Sequence, residues 1–221
     1  MKFINTIELE PFSYATLERQ YPNGGVEEMP DQWNHYWTAC LSDSNLGHLI
    51  AVEKGSWFVP INQLDESALV EILKLELEEV DLEEFEDQVG PICGGIVLQE
   101  NGETLLTPSC CGDLANIREW QDIPKSKPDT WHPLWVGHPW PFYKRTGDFI
   151  TFSSKYESNL ADIGTVEEVF NIGEATLIAG LRQVDQELLE IKSLIAKTLH
   201  NMGIANAERI AEIMTGLGKE A

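Results

Sequence analysis

Residues 94–120 read GGIVLQENGETLLTPSCCGDLANIREW, and the first half of this stretch predicts a β-hairpin. The runs Gly94–Gln99 and Thr104–Thr107 are rich in aliphatic and β-branched side chains, which favour strands. Between the two runs lies Asn101-Gly102, and Asn-Gly is the strongest short signal for a tight turn between antiparallel strands. We therefore expect antiparallel β-structure in the middle of the chain.

The second half of the same stretch predicts a helix. Leu114, Ile117 and Trp120 recur at helical spacing within residues 113–122. A hairpin that runs directly into a helix is typical of an α+β fold.

Two later patterns extend this prediction towards the C-terminus. Phe142–Lys144 and Phe149–Phe152 flank the turn residues Arg145–Asp148, so a second hairpin is expected. From about residue 165 the pattern becomes helical. A long helix over Glu174–Met202 is predicted by apolar residues in alternating steps of four and three: Leu177, Leu181, Val184, Leu188, Ile191, Ile195 and Met202.

The sequence thus predicts an α+β fold in which a central, mostly antiparallel sheet is flanked by helices and followed by a C-terminal helical extension. We expect an α+β domain over residues 1–164 and a helical region over residues 165–221, with one long and one short helix. Asn206 can cap the short helix. The long helix would span roughly 45 Å at 1.5 Å per residue, so either it packs along its own domain or it forms a homodimer.

Charge is the most distinctive bulk property of the chain. Its 221 residues include 37 acidic and 15 basic side chains, which gives a formal net charge of -22. Such a surface repels the phosphate backbone of nucleic acids and attracts basic proteins. No apolar run approaches the ~20 residues that a membrane span needs. The four cysteines have irregular spacing, so we expect a cytoplasmic protein without a disulfide framework.

Almost half of the net charge comes from the segment Asp65–Asp87, which we predict to be one helix. It contains eleven acidic residues and one lysine, Lys74, and so carries a charge of -10. A solvated helix face is the plain interpretation, and a partner-binding surface is the alternative. The candidate contact residues are Glu78, Glu79, Asp81, Glu83, Glu84, Glu86 and Asp87, together with the aromatic residues Trp33, Trp37 and Trp57.

The adjacent cysteines Cys110 and Cys111 are the only candidates for catalysis. They precede a predicted helix N-terminus, which can lower a thiol pKa, and His132 or His138 could act as the base. Against this, Asp113 would oppose thiolate formation, and cysteine is among the most commonly buried residues. We therefore expect buried packing groups and no catalytic residue. The ligand spacing of a zinc site is missing, so we also expect no metal and no cofactor.

The residues around the cysteine pair resemble a known family signature. Cys110, Cys111, Leu114 and Ile117 are similar to the Cys-Cys-x-x-Leu-x-x-apolar motif of the SUKH superfamily, and the neighbouring order of hairpin, helix and tryptophan-rich segment is also similar. The resemblance covers about residues 30–155. It implies an α+β fold, packing roles for the motif residues, and binding without catalysis, because bacterial members act as immunity proteins against toxins.

Charge and resemblance together lead to one hypothesis with two alternatives. The leading hypothesis is a non-enzymatic immunity protein that binds a basic toxin domain, such as a nuclease, through its acidic surface. The first alternative is a thiol-dependent enzyme that uses Cys110 or Cys111. The second is an adaptor or scaffold that dimerises through the C-terminal helix.

Overall fold

The computed structural model describes residues 1–126 and 128–218 and has the predicted α+β class. Lys127 and the last three residues of the predicted region 165–221 lie outside the described residues. The strands are β1 (Lys2–Glu8), β2 (Phe58–Pro60), β3 (Gly94–Glu100), β4 (Glu103–Leu106), β5 (His132–Pro133), β6 (Trp140–Thr146), β7 (Phe149–Tyr156) and β8 (Glu168–Gly173). The helices are α1 (Pro11–Tyr14), α2 (Pro30–Asp43), α3 (Glu66–Glu76), α4 (Phe85–Gln88), α5 (Ile117–Ser126), α6 (Glu174–Asn201) and α7 (Ala207–Met214).

The strands form two four-stranded sheets, ordered β2-β1-β3-β4 and β5-β6-β7-β8. The chain divides into two compact units. The first contains Met1–Asn5 and Cys93–Leu188, and the second contains Thr6–Ile92 and Leu189–Ala221. The chain therefore passes from one unit to the other three times: within β1, between Ile92 and Cys93, and within α6. Residue 165, where the sequence predicts a boundary, lies inside the first unit.

Both predicted hairpins are confirmed. In the first, Gln99 pairs with Thr104, and the turn residues Asn101 and Gly102 have φ angles of 52° and 88°. Two consecutive positive φ angles match the right-handed twist of a strand pair, which explains why Asn-Gly is preferred there. In the second hairpin, Thr146 pairs with Phe149 across the turn.

The helix after the first hairpin is also confirmed, and Asp113 fixes its start. The Asp113 carboxylate accepts the N–H of Ala115 at 2.8 Å, and the Asn116 side chain accepts the N–H of Asp113 at 3.0 Å. This reciprocal capping opens a short 3-10 turn over Leu114–Asn116, which continues into α5. As expected, Leu114, Ile117 and Trp120 are buried.

The C-terminal region departs from the prediction at its beginning. Helical structure does not start at residue 165, because Glu168–Gly173 form strand β8, which pairs with β7. Helix α6 then runs over Glu174–Asn201, one residue short of the predicted end. Most of its apolar stripe is buried within the single chain: Leu177, Leu181, Val184, Leu188, Ile191 and Ile195. Homodimerisation through α6 stays a prediction and would need another face of the helix.

Within residues 1–126 and 128–218, the structure contains no helix long and apolar enough to cross a membrane.

Candidate partner-binding surface and the Cys110–Cys111 turn

Five aromatic side chains of the second unit meet at its surface, and we call them the aromatic cluster. Phe12 lies at the centre, with ring centroids 6.2 Å from Tyr21, 6.1 Å from Tyr36 and 6.2 Å from Trp57. Trp33 joins through Tyr36 at 5.7 Å. Phe12 is 53% exposed and Tyr21 is 64% exposed, although both rings already contact other rings. Large apolar groups that remain this open are typical of interaction sites.

Two of the three predicted tryptophans belong to this cluster, and the third does not. Trp33 and Trp57 are half-buried. Trp37 is only 1% exposed, and its indole N–H donates to the backbone oxygen of Leu9 at 2.8 Å. The prediction that Trp37 contacts a partner is therefore wrong, because the inward face of α2 carries it into the core. The sequence does not predict Phe12 as a contact residue, because the residues around it show no periodic apolar pattern.

A groove of about 690 Å³ borders the cluster and is lined partly by Tyr21, Tyr36 and Arg19. The guanidinium of Arg19 forms a two-pronged ion pair with Asp43, with one N–O distance of 2.6 Å. Asp43 also accepts the backbone N–H of Thr16 at 3.0 Å. The Arg19 hydrogen bond holds the pKa of Asp43 well below its usual range. These bonds order the loop that carries Tyr21.

The acidic segment is not the single helix that the sequence predicts. Helix α3 begins after Asp65, whose carboxylate accepts the N–H of Ala68 at 2.8 Å, and it ends at Glu76. A turn follows, and α4 starts only at Phe85, which is buried. Closely spaced carboxylates repel one another, and the apolar pattern that could hold a longer helix stops near residue 77.

The turn and α4 nevertheless place the predicted acidic residues in solvent. All seven are exposed: Glu78, Glu79, Asp81, Glu83, Glu84, Glu86 and Asp87. Arg209 neutralises Glu86, with N–O distances of 2.9 and 3.1 Å. Among the described residues, no salt bridge reaches Glu78, Glu79, Glu83 or Glu84. Those four carboxylates form a concentrated negative patch, which we call the acidic turn.

The prediction that Cys110 and Cys111 are buried is wrong, because both are exposed. Their backbone explains the difference. The N–H of Gly112 donates to the oxygen of Ser109 at 2.8 Å, which closes a β-turn with both cysteines at its tip. The tip is therefore exposed, whereas Leu114 and Ile117, which follow the turn in the sequence, are buried. We call Ser109–Gly112 the cysteine turn.

The two candidate bases, His132 and His138, differ in whether they contact the cysteine turn. The backbone N–H of His138 donates to the oxygen of Cys110 at 2.8 Å, while its imidazole packs 5.2 Å from the ring of Trp140. The imidazole of His132 lies against Tyr143. The structure therefore brings His138 next to the cysteine turn through its backbone. In the described part of the chain, no three His, Cys, Asp or Glu side chains are grouped as metal ligands.

A half-buried lysine lies beside the same turn and was missed at the sequence level. Lys155 donates from Nζ to the Pro108 backbone oxygen and to Thr107 Oγ1, both at 3.2 Å. Burial lowers the pKa of Lys155 to about 8. Its partner on the next strand is Pro141, and only the pairing of β6 with β7 brings it here.

The lowered pKa of Lys155 predicts a pH-dependent stability. From about pH 8 upwards the folded chain releases this proton, whereas an unfolded lysine keeps it until about pH 10.4. Because the unfolded state then binds more protons, stability rises with pH in this window. As the pH rises through this window, the unfolding free energy of the wild type should increase by about 1–2 kcal/mol more than that of Lys155→Met. This value is smaller than the full pKa shift would give, because Lys155 is partly exposed.

Urea unfolding of the wild type and of Lys155→Met between pH 7.5 and 10 measures this gain. Subtracting one unfolding free energy from the other removes the contributions of the other titrating groups. Lys125→Met is the control, because Lys125 is an exposed lysine whose ion pair with Asp122 is 2.9 Å long. Its unfolding free energy should run parallel to that of the wild type. Parallel behaviour of Lys155→Met as well would show that Lys155 has an ordinary pKa.

Comparison with known proteins gives no relative for this chain. It matches no protein-family model, no curated protein and no solved structure. The SUKH resemblance therefore rests on the motif residues and their order alone.

Proposed function

We propose that this chain is a non-enzymatic binding protein, an immunity protein of the SUKH type that neutralises a basic toxin domain. The observation that carries the proposal is the acidic turn, with four exposed carboxylates on a chain of net charge -22. A positively charged toxin is drawn to such a patch over a distance of about 10 Å at moderate salt. The burial of Leu114 and Ile117 agrees with the packing roles that the SUKH resemblance implies, whereas the exposure of Cys110 and Cys111 does not.

Charge alone gives a fast encounter but little lasting affinity, so a second kind of contact is needed. The aromatic cluster supplies it, because Phe12 and Tyr21 are open to solvent and Trp33 and Trp57 are half-buried. Aromatic side chains dominate binding energy when a partner removes them from water. The acidic turn and the aromatic cluster both belong to the second unit.

The first test is functional. The probe is the basic C-terminal domain of a large secreted protein encoded in the reading frame next to this gene. Co-expression of the chain should restore growth to cells that produce that domain. A neighbourhood without such a protein, or a chain that gives no protection, would contradict the proposal.

Charge reversal tests the acidic turn within the complex. A variant with Glu78, Glu79, Glu83 and Glu84 replaced by lysine should associate at least about tenfold more slowly at low salt, with the difference shrinking as salt rises. Stopped-flow association measures both effects.

A matched control separates location from net charge. Reversal of four exposed acidic residues of the first unit, Glu103, Asp129, Glu157 and Asp162, changes the net charge by the same amount. We expect this variant to associate at a rate much closer to that of the wild type. Equal slowing of both variants would remove the acidic turn from the interface.

The exposure of Cys110 and Cys111 favours a second candidate, a thiol-dependent enzyme. A catalytic thiol would be alkylated by iodoacetamide with an apparent pKa well below the usual value of about 8.5. An immunity protein has no need of such a thiolate. The pH dependence of alkylation of Cys110 and Cys111 therefore distinguishes the two functions.

A further inference from the structure

The two sulfurs of the cysteine turn face the same way, which is unusual for neighbouring residues. In an extended chain successive side chains point to opposite faces. Here Sγ of Cys110 and Sγ of Cys111 lie 3.5 Å apart, and both residues are exposed. The Ser109–Gly112 turn produces this arrangement, because the two cysteines occupy its central positions.

The backbone at Cys111 is strained. Its φ angle is 66°, in the left-handed region where glycine or asparagine is normally found. Strain of this kind persists only where the surrounding structure enforces it, and it is concentrated at functional sites. The same φ angle is part of the turn that brings the two sulfurs together.

The surrounding backbone enforces the turn from two sides. Ser109 N–H donates to the Val136 oxygen at 2.7 Å, and His138 N–H donates to the Cys110 oxygen at 2.8 Å. Gly94 N–H donates to the Gly112 oxygen at 3.0 Å. The sulfur pair is therefore held ready in one geometry, which is what a bidentate site requires.

We propose that Cys110 and Cys111 form a two-sulfur binding site for trivalent arsenicals with one organic substituent. Each molecule R–As=O reacts with both thiols. The products are R–As, in which arsenic is bonded to both sulfurs, and one molecule of water that is released. Two As–S bonds form, while the As=O bond and two S–H bonds break, and both protons leave with the oxygen. Arsenic stays trivalent, so the reaction needs no oxidant or reductant.

Closure of the pair to a disulfide is the competing reaction, and the local geometry disfavours it. A trans peptide holds adjacent Cα atoms about 3.8 Å apart, whereas disulfides need about 4.4–6.8 Å. A single atom that bridges the two sulfurs avoids this constraint, because the sulfurs do not have to approach each other to bonding distance. The pair should therefore bind the arsenical more readily than it oxidises.

The experiment uses the native full-length chain and phenylarsine oxide near neutral pH. Intact-protein mass spectrometry should show one bound molecule, with the mass of the probe less one water. A thiol assay should show the loss of two reactive thiols. Cys110→Ser and Cys111→Ser should each bind at least about a hundredfold more weakly, because one sulfur loses the advantage of the second attachment.

Cys93→Ser is the matched control, since Cys93 is also exposed but lies outside the turn. It should bind as the wild type does, and ethanedithiol should release the probe from both. Circular dichroism checks that all three variants are folded. Wild-type affinity in Cys110→Ser or Cys111→Ser, or loss of binding in Cys93→Ser, would overturn the site. The proposal would also be overturned if treatment with glutathione disulfide lowered the protein mass by two hydrogens and abolished arsenical binding. That result would show that the pair closes to a disulfide more readily than it binds the arsenical.

Discussion

Replacement of Trp120 by alanine is expected to lower the free energy of unfolding by about 3–5 kcal/mol. Trp120 is completely buried in the first unit, where its ring lies 6.5 Å from Phe3 in an edge-on contact and 5.8 Å from Phe152. Removal of the indole leaves a cavity between these two rings. The packing there is tight, since a Cβ placed on Gly180 would lie 2.1 Å from a ring carbon of Phe3. Urea unfolding measures the loss.

Two further variants separate packing from other effects. In the described part of the chain, the Trp120 indole N–H is buried without a hydrogen-bond partner. Trp120→Phe removes this N–H and keeps a ring, so it should cost only about 1–2 kcal/mol. Trp135→Ala removes an indole that is 40% exposed and should cost much less than Trp120→Ala. Equal losses for Trp120→Ala and Trp135→Ala would contradict the proposed core.

The second large effect is expected at Gly137, where alanine should lower the free energy of unfolding by about 2–5 kcal/mol. Gly137 has a φ angle of 99°, which L side chains rarely adopt. A Cβ there would lie 2.3 Å from the backbone oxygen of Ser109 and 2.5 Å from that of Cys110. Backbone atoms cannot turn aside as a flexible side chain can. The segment must therefore move away and lose its hydrogen bonds to the cysteine turn.

Gly147→Ala is the control for this prediction. Gly147 also has a positive φ angle, 63°, but nothing lies within 4 Å of a Cβ placed there. Only the backbone strain remains, so a loss of about 1–2 kcal/mol is expected. Thermal or urea unfolding of both variants tests the difference. A Gly137→Ala variant no less stable than Gly147→Ala would show that segment 136–138 does not hold the cysteine turn.

Local sequence signals located the hairpins well because their causes are local. Asn101-Gly102 needs no distant residue to form a turn with two positive φ angles, and the residues on either side carry strand-forming side chains. The same holds for α6, whose apolar repeat places the buried residues on one face. Each of these predictions depends on neighbours within a few positions.

Most of the predictions that failed depend on what surrounds a residue. Trp33 and Trp37 lie one helical turn apart and look equivalent in the sequence, yet one reaches the surface and the other donates to Leu9 in the core. The failed prediction of one helix over the acidic segment is different, because the apolar pattern already ends near residue 77 in the sequence. Phe85 is buried at the start of α4, although its neighbours Glu84 and Glu86 are acidic and exposed.

The sequence by itself determined the α+β class, both hairpins, the long C-terminal helix and the negative charge, because periodicity, turn chemistry and composition act within short windows. Only the tertiary structure decided which aromatic rings meet at the surface and which way the cysteines face. The direction of Cys110 and Cys111 is set by two hydrogen bonds to residues more than twenty positions away: the Val136 oxygen accepts the N–H of Ser109, and the His138 N–H donates to the Cys110 oxygen. No local pattern records that contact, since it exists only once the chain has folded.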